Sequence, residues 1–139
     1  MKIGESLFLQ DAEETRALGA SLASALPRGG LLFLEGELGS GKTTLTTGLM
    51  TSLKFSGEVS SPTYALMQIY PTAEGDVVHV DAYRVKHPDE LYSMDLERLV
   101  DDSRLSIMEW GQLYYDDFPQ AWLLRLTYDG DARRATRVR

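Results

Sequence analysis

The sequence predicts an α/β domain with a largely parallel central sheet, flanking helices and an antiparallel C-terminal hairpin. Three observations carry that expectation. Short apolar strands alternate with helical patterns along the chain, the order that builds parallel sheets. One apolar run, Leu31-Leu32-Phe33-Leu34, passes straight into a glycine-rich loop and then a helix. The last stretch holds two strand-like segments around Asp129-Gly130-Asp131, a hairpin signal.

Taken in order, Ser6-Leu7-Phe8-Leu9 reads as a short edge strand. Asp11 is a helix N-cap with Glu14 three residues on, close to a capping box. Leu18, Leu22, Ala25 and Leu26 mark one face of the helix that follows, which stops before Pro27. After the glycine loop, Leu45, Leu49 and Leu53 recur at helical spacing. Residues 54 to 62 read as a loop, 63 to 70 as a strand and 71 to 75 as a turn. Val77-Val78-His79-Val80 is a strand ending at Asp81, and Leu105-Ser106-Ile107-Met108 one ending at Glu109. Between them, 88 to 100 reads as one acidic helix with Leu91, Met94, Leu96 and Leu99 as core positions. A short helix over 111 to 117 precedes the hairpin strands 121 to 128 and 135 to 138. No repeat or linker divides the 139 residues, so 1–139 is one domain.

The loop itself is Gly36-Glu37-Leu38-Gly39-Ser40-Gly41-Lys42-Thr43, a full match to G-x-x-x-x-G-K-[ST]. Its residue types follow from phosphate chemistry. Glycines let the backbone turn and approach a ligand closely. Consecutive amides form a concave anion nest, and the following helix adds its free N–H groups and positive dipole end. Lys42 supplies a point charge for the β- and γ-phosphates, and the Thr43 hydroxyl is suited to Mg²⁺. Strand, loop and helix in succession are the context this motif requires, so the domain reads as a single P-loop NTPase domain. The bland alternative is a glycine-rich turn with no ligand.

Two acids stand where ligands bind in open parallel sheets, at the carboxyl ends of strands. Asp81 is suited to Mg²⁺ or its waters. Glu109 is suited to orienting or deprotonating a water, or to completing the Mg²⁺ shell. Each could instead be a helix cap or a solvated loop residue. Ser60-Ser61-Pro62-Thr63 has the composition of a nucleotide-sensing switch, and equally of a plain hydroxyl-rich turn. Trp110, beside Glu109, reads as core or rim, with stacking on a ligand as the sharper reading. His79 and His87 are too far apart for a short metal-binding pair and read as structural or exposed. Arg133, Arg134, Arg137 and Arg139 read as a solvated tail; the sharper alternative is contact with nucleotide or partner, and Arg133 is the one assigned to nucleotide.

Composition narrows the classes further. The profile is that of a soluble globular domain, 43% hydrophobic and 25% charged. No apolar run reaches the length of a membrane span, and the first residues lack a signal-peptide core. With no cysteine, thiolate metal sites and cysteine nucleophiles are excluded, and the cytoplasm is the expected compartment. A net charge of −7 argues against a whole-surface grip on nucleic acid. Asparagine is absent, so the Asn-Lys-x-Asp element of small GTPases cannot be formed, and ATP is favoured over GTP. A small-molecule kinase is the second choice, since no arginine-rich lid insertion is visible. A nucleotide-gated binding module is the third.

Four segments together resemble the TsaE family: Gly36 to Thr44, Val59-Ser60-Ser61-Pro62-Thr63-Tyr64, His79-Val80-Asp81-Ala82-Tyr83-Arg84 and Met108-Glu109-Trp110-Gly111. Their order and spacing match over residues 8 to about 130. The resemblance implies the bacterial ATPase required for N6-threonylcarbamoyladenosine at position 37 of ANN-decoding tRNAs. It implies ATP or ADP with Mg²⁺ as cofactors and partners of the TsaD and TsaB type, with any tRNA contact indirect or weak. Carried over by motif, Glu37, Leu38, Gly39, Ser40, Gly41, Lys42, Thr43 and Thr44 hold nucleotide, and Thr43, Asp81 and Glu109 serve Mg²⁺. Lys42, Asp81 and Glu109 are catalytic, and Asp11 and Thr15 lie near the base. Ser60, Ser61, Pro62 and Thr63 form the switch, and Trp110 and Arg84 accompany the site. Ala82 departs from the family, which often has leucine there.

Overall fold

The computed structural model of the chain describes residues 1–59 and 66–139. Its strands are β1 (Ser6–Leu9), β2 (Gly30–Glu35), β3 (Met67–Thr72), β4 (Gly75–Asp81), β5 (Leu105–Glu109), β6 (Trp122–Asp129) and β7 (Ala132–Arg137). The helices are α1 (Ala12–Ala25), α2 (Lys42–Ser52), α3 (Asp89–Tyr92) and α4 (Leu96–Asp102), with a 3₁₀ helix over Gln112–Asp117. All seven strands form one sheet in the order β1-β7-β6-β2-β5-β4-β3.

That sheet is mixed: the centre is parallel and the C-terminal hairpin antiparallel, as expected, but both edges add antiparallel strands, so the sheet as a whole is not largely parallel. β6, β2, β5 and β4 run parallel, but β3 pairs antiparallel with β4, and β1 and β7 extend the other edge antiparallel. The reason is local: tight turns at 73–74 and 130–131 return the chain onto the preceding strand, and two-residue turns permit only antiparallel pairing.

Side-chain alternation divides the core into two layers. Leu32, Leu34, Val77, Leu105, Ile107, Leu124 and Leu126 face α1 and α2. Leu31, Phe33, Val78, Val80, Met108 and Leu123 face α3, α4 and Tyr114. β2 is apolar on both faces, as double coverage demands, and β4 and β5 are nearly so, with His79 and Ser106 as their buried polar residues. Asp11 caps α1 by accepting from the Glu14 amide at 3.0 Å, and the Glu14 carboxylate reaches back to the Gln10 amide. α1 and α2 cross in close backbone contact at two glycines. A Cβ on Gly19 would stand 2.1 Å from the Leu45 carbonyl oxygen, and one on Gly48 2.0 Å from that of Arg16.

Several expected elements shift. Pro71 and Thr72 belong to β3, not to a turn, and proline is tolerated there because β3 is an edge strand. The part of the expected 63–70 strand before residue 66 lies outside the described residues, and β3 begins at Met67. The expected helix over 88–100 is two short helices separated at Asp95, whose φ of 67° breaks helical geometry. Leu91 and Leu96 are buried as expected, but Met94 is exposed beside the break. In α1 Ala23, not Ala25, takes the buried position. β7 starts at Ala132, so Arg133 and Arg134 are strand residues.

Candidate functional site

β2 ends at Glu35, and the glycine loop lifts off its carboxyl end to enter α2 at Lys42. Gly36 must be glycine on packing grounds: a Cβ would meet Ser40 Oγ at 2.3 Å and the Leu126 carbonyl at 2.9 Å. Gly41 caps α2 with φ of 107°, in the left-handed region that side chains avoid. Ser40 is buried beneath the loop, and its hydroxyl has no hydrogen-bond partner among the described residues.

β4 and β5 end side by side, and their register sets Asp81 against Glu109. Both side chains project toward the layer that holds α2, since Asp81 shares the parity of Val77 and Glu109 that of Ile107. A cavity of about 750 Å³ results, lined by Glu37, Leu38, Gly39, Gly41, Lys42, Thr43, Thr44, Asp81, Tyr83, Glu109 and Trp110. Lys42 and Glu109 form its inner wall and are both buried. The Lys42 ammonium donates to the Gly36 carbonyl at 2.6 Å and stands 3.7 Å from Glu109 Oε1. A cation buried this far needs such partners. Thr43 is exposed at the mouth, and Asp81 is half-buried, accepting from the Tyr83 amide at 2.9 Å.

Trp110 adopts φ of 56°, an uncommon state for a bulky residue and one that clusters at functional sites. Gly111 follows in a cramped position, where a Cβ would stand 2.7 Å from the Phe33 ring. The turn brings the indole 4.5 Å from Lys42 Nζ and edge-on to Tyr83, centroids 5.2 Å apart. Tyr83 and Leu38 are strongly exposed at the rim, 68% and 93%.

Asp11 and Thr15 line a second, smaller cavity of about 160 Å³ with Gln10, Asp131 and Arg133, and it adjoins the first at Gly39, Gly41 and Thr44. Arg84 is exposed after β4 and lines neither cavity. Ser60, Ser61, Pro62 and Thr63 lie outside the described residues.

The C-terminal arginines are not a solvated tail. Arg133 donates from Nε and Nη2 to the Gly39 carbonyl at 3.3 and 3.1 Å and stacks over the Tyr128 ring. Arg134 pairs with Asp129 at 2.8 Å, and Arg137 packs 3.5 Å over Trp122. Strand geometry puts these cations against aromatic and carboxylate neighbours across the hairpin. Three contributors escaped sequence reasoning. Tyr128 bonds the loop from β6, Tyr83 forms the rim, and His79 bonds Glu109 at 2.7 Å. Only His79 carried a signal, as a polar residue inside a β-branched strand.

The residues suit a magnesium nucleotide. Thr43, Asp81 and Glu109 offer hard oxygen donors, and Mg²⁺ takes one or two carboxylates alongside substrate phosphates and water. Among the described residues no group of three His, Cys, Asp or Glu side chains could hold a metal ion.

The family model for TsaE, threonylcarbamoyl adenosine biosynthesis protein, matches residues 9–137. The tRNA threonylcarbamoyladenosine biosynthesis protein TsaE of Streptomyces coelicolor is 46% identical over 101 residues, covering 70% of this chain and 67% of that protein. Its Haemophilus influenzae namesake is 36% identical over 104 residues, covering 74% and 66%. The aligned part is thus about two thirds of each relative's length. The crystal structure of Bacillus subtilis YdiB superimposes with a TM-score of 0.76 at 26% identity, covering 99% of this chain and 87% of that one. With the family model spanning nearly its whole length, this chain belongs to the TsaE family.

Proposed function

We propose that this chain is a P-loop ATPase that binds ATP with Mg²⁺ and hydrolyses it in support of N6-threonylcarbamoyladenosine formation at A37 of ANN-decoding tRNAs. One observation carries the chemical part: Lys42, Thr43, Asp81 and Glu109 converge on one cavity at the carboxyl edge of the parallel strands. The biosynthetic part rests on the names of the relatives.

In this reading Lys42 and the loop amides bind the phosphates, so that Lys42 exchanges its Gly36 carbonyl for phosphate oxygens. Thr43 and the two carboxylates would hold Mg²⁺, whose charge would offset that developing on the phosphates. Glu109 orients the attacking water and accepts its proton. Trp110 and Tyr83 wall the site against bulk water. Asp11, Thr15 and Arg133 bound the space left for the base. Partners of the TsaD and TsaB type supply the tRNA-binding surface that an acidic chain of net charge −7 lacks, and the reaction runs in the cytoplasm.

Two measurements test it together. Competition titration should show ATP and ADP, with Mg²⁺, binding more tightly than GTP. With γ-labelled ATP and a metabolite extract, label should appear as inorganic phosphate. A labelled organic product would instead favour a small-molecule kinase.

A further inference from the structure

His79 is the most deeply buried imidazole of the chain, with no exposed surface. It stands on β4 in register with Ile107, two residues before the pair Asp81 and Glu109. On its face of the sheet Val77, Leu105 and Ile107 are apolar neighbours in the layer under α2, Gln68 stands opposite it on β3, and the Tyr70 ring lies 6.4 Å from it, centroid to centroid. A polar ring there is costly to desolvate unless it is bonded. Its Nε2 lies 2.7 Å from Glu109 Oε2, while Nδ1 has no partner among the described residues.

We infer that His79 is a positioning residue that fixes the Glu109 carboxylate, and with it the oxygen Glu109 presents to the reaction. The geometry divides the work of the two oxygens. Oε2 is tied down by His79, and Oε1 faces Lys42 at 3.7 Å. A carboxylate bonded at one oxygen by a buried ring on a neighbouring strand is restrained in rotation, which favours one orientation of the other oxygen toward the cavity. This fixes the tautomer as well. An acceptor carboxylate requires the proton on Nε2, which leaves Nδ1 as a bare nitrogen without a partner among the described residues. The alternative tautomer would bury an unpaired N–H and set two acceptors against each other. The inference rests on the proposed role of Glu109, and it adds a residue that touches neither nucleotide nor water.

Three variants, His79→Leu, His79→Gln and Glu109→Ala, test it, with melting temperature and ADP–Mg²⁺ affinity measured for each beside partner-stimulated ATP hydrolysis. Glutamine can set an amide N–H where Nε2–H stands; leucine cannot. Expected for His79→Leu is a kcat lower by about 10–100-fold, the usual cost of removing an orienting partner, with KM and ADP affinity held. His79→Gln should recover most of that loss. In ¹⁵N-histidine-labelled wild-type protein, which has two histidines, the His79 ring should show the Nε2–H tautomer, and its signal should move in Glu109→Ala. Normal turnover in His79→Leu beside an impaired Glu109→Ala overturns the inference. So does equal impairment of the leucine and glutamine variants, which marks a packing role, or an Nδ1–H tautomer in the wild type. If Glu109→Ala itself hydrolyses ATP normally, the ATPase role of Glu109 falls instead, and the ring spectrum still decides whether the pair exists. Should the leucine variant fail to fold, the glutamine variant and the wild-type spectrum carry the decision.

Discussion

The Tyr128 hydroxyl donates to the Leu38 carbonyl at 2.8 Å, joining β6 to the glycine loop. A trans peptide plane points its carbonyl and the next amide in opposite directions. Holding the Leu38 oxygen against the hairpin therefore turns the Gly39 N–H away from Tyr128. Arg133 grips the next carbonyl, that of Gly39, and stacks on the same tyrosine. If the loop binds phosphate, Tyr128→Phe should weaken ADP binding by about 2–10-fold, the range one hydrogen bond spans. Arg133→Ala, which loses two donors and the stacking, should cost more. Titration calorimetry measures both, and unchanged affinity in the pair would mean the loop holds its shape without the hairpin.

Binding and chemistry should separate within the inner wall. Lys42→Ala removes the phosphate charge and leaves Glu109 without its cation, so nucleotide affinity should fall. Glu109→Ala should leave affinity closer to normal than Lys42→Ala does, and slow hydrolysis by ~10²-fold or more if it orients the water. Single-turnover hydrolysis in the assembled system distinguishes them, and a fully active Glu109→Ala would remove that residue from the chemistry.

Partner coupling is the third expectation. Slow hydrolysis by the isolated chain should be stimulated by TsaD- and TsaB-type partners. If ATP tightens partner binding, the partner must tighten ATP binding by the same factor. Calorimetry with ADP and with a non-hydrolysable ATP analogue reads the coupling from both sides. Equal partner affinity in the two nucleotide states would rule out a nucleotide switch. Loss of stimulation in Thr63→Ala with nucleotide binding intact would assign the coupling to that segment.

The helix crossing yields a stability prediction. Alanine normally gains up to about 1 kcal/mol over glycine inside a helix. At Gly48 the new methyl would meet the Arg16 carbonyl at 2.0 Å, and forcing apart packed backbones costs about 1–3 kcal/mol or more. Overpacking wins, so Gly48→Ala should lower the melting temperature by several degrees, at roughly 2–4 °C per kcal/mol for a chain of this size. A raised melting temperature would show that α1 and α2 have room to separate.

How much was legible beforehand depended on range. Leu31 to Thr43 announced strand, loop and helix because every cue sits within a dozen residues. Asp81 and Glu109 were legible because each closes an apolar run, and parallel sheets put such ends together. The Tyr128–Leu38 and Arg133–Gly39 bonds were not, for they need β6 to lie beside β2, and no local pattern states strand order. The break at Asp95 was hidden for the opposite reason: its left-handed backbone conformation is local, but aspartate is an ordinary helix residue in periodicity. His79 was visible as an oddity, yet its meaning required the register with Ile107 that brings Glu109 within reach.

Among the described residues β1 sits at the sheet edge with β7 as its single neighbour, Ser6 opposite Thr136 and Leu9 opposite Arg133. During synthesis the first strand therefore leaves the ribosome long before the segment it pairs with exists. Arg133, the residue opposite Leu9, is also the one that grips Gly39. Closure of the sheet and clamping of the loop thus become one late event. A nascent chain halted before Ala132 would carry the whole glycine motif and Tyr128, but not the Arg133 grip on Gly39. Nucleotide affinity, followed along a series of stalled chains, would then appear late and abruptly, as a marker that the sheet has closed.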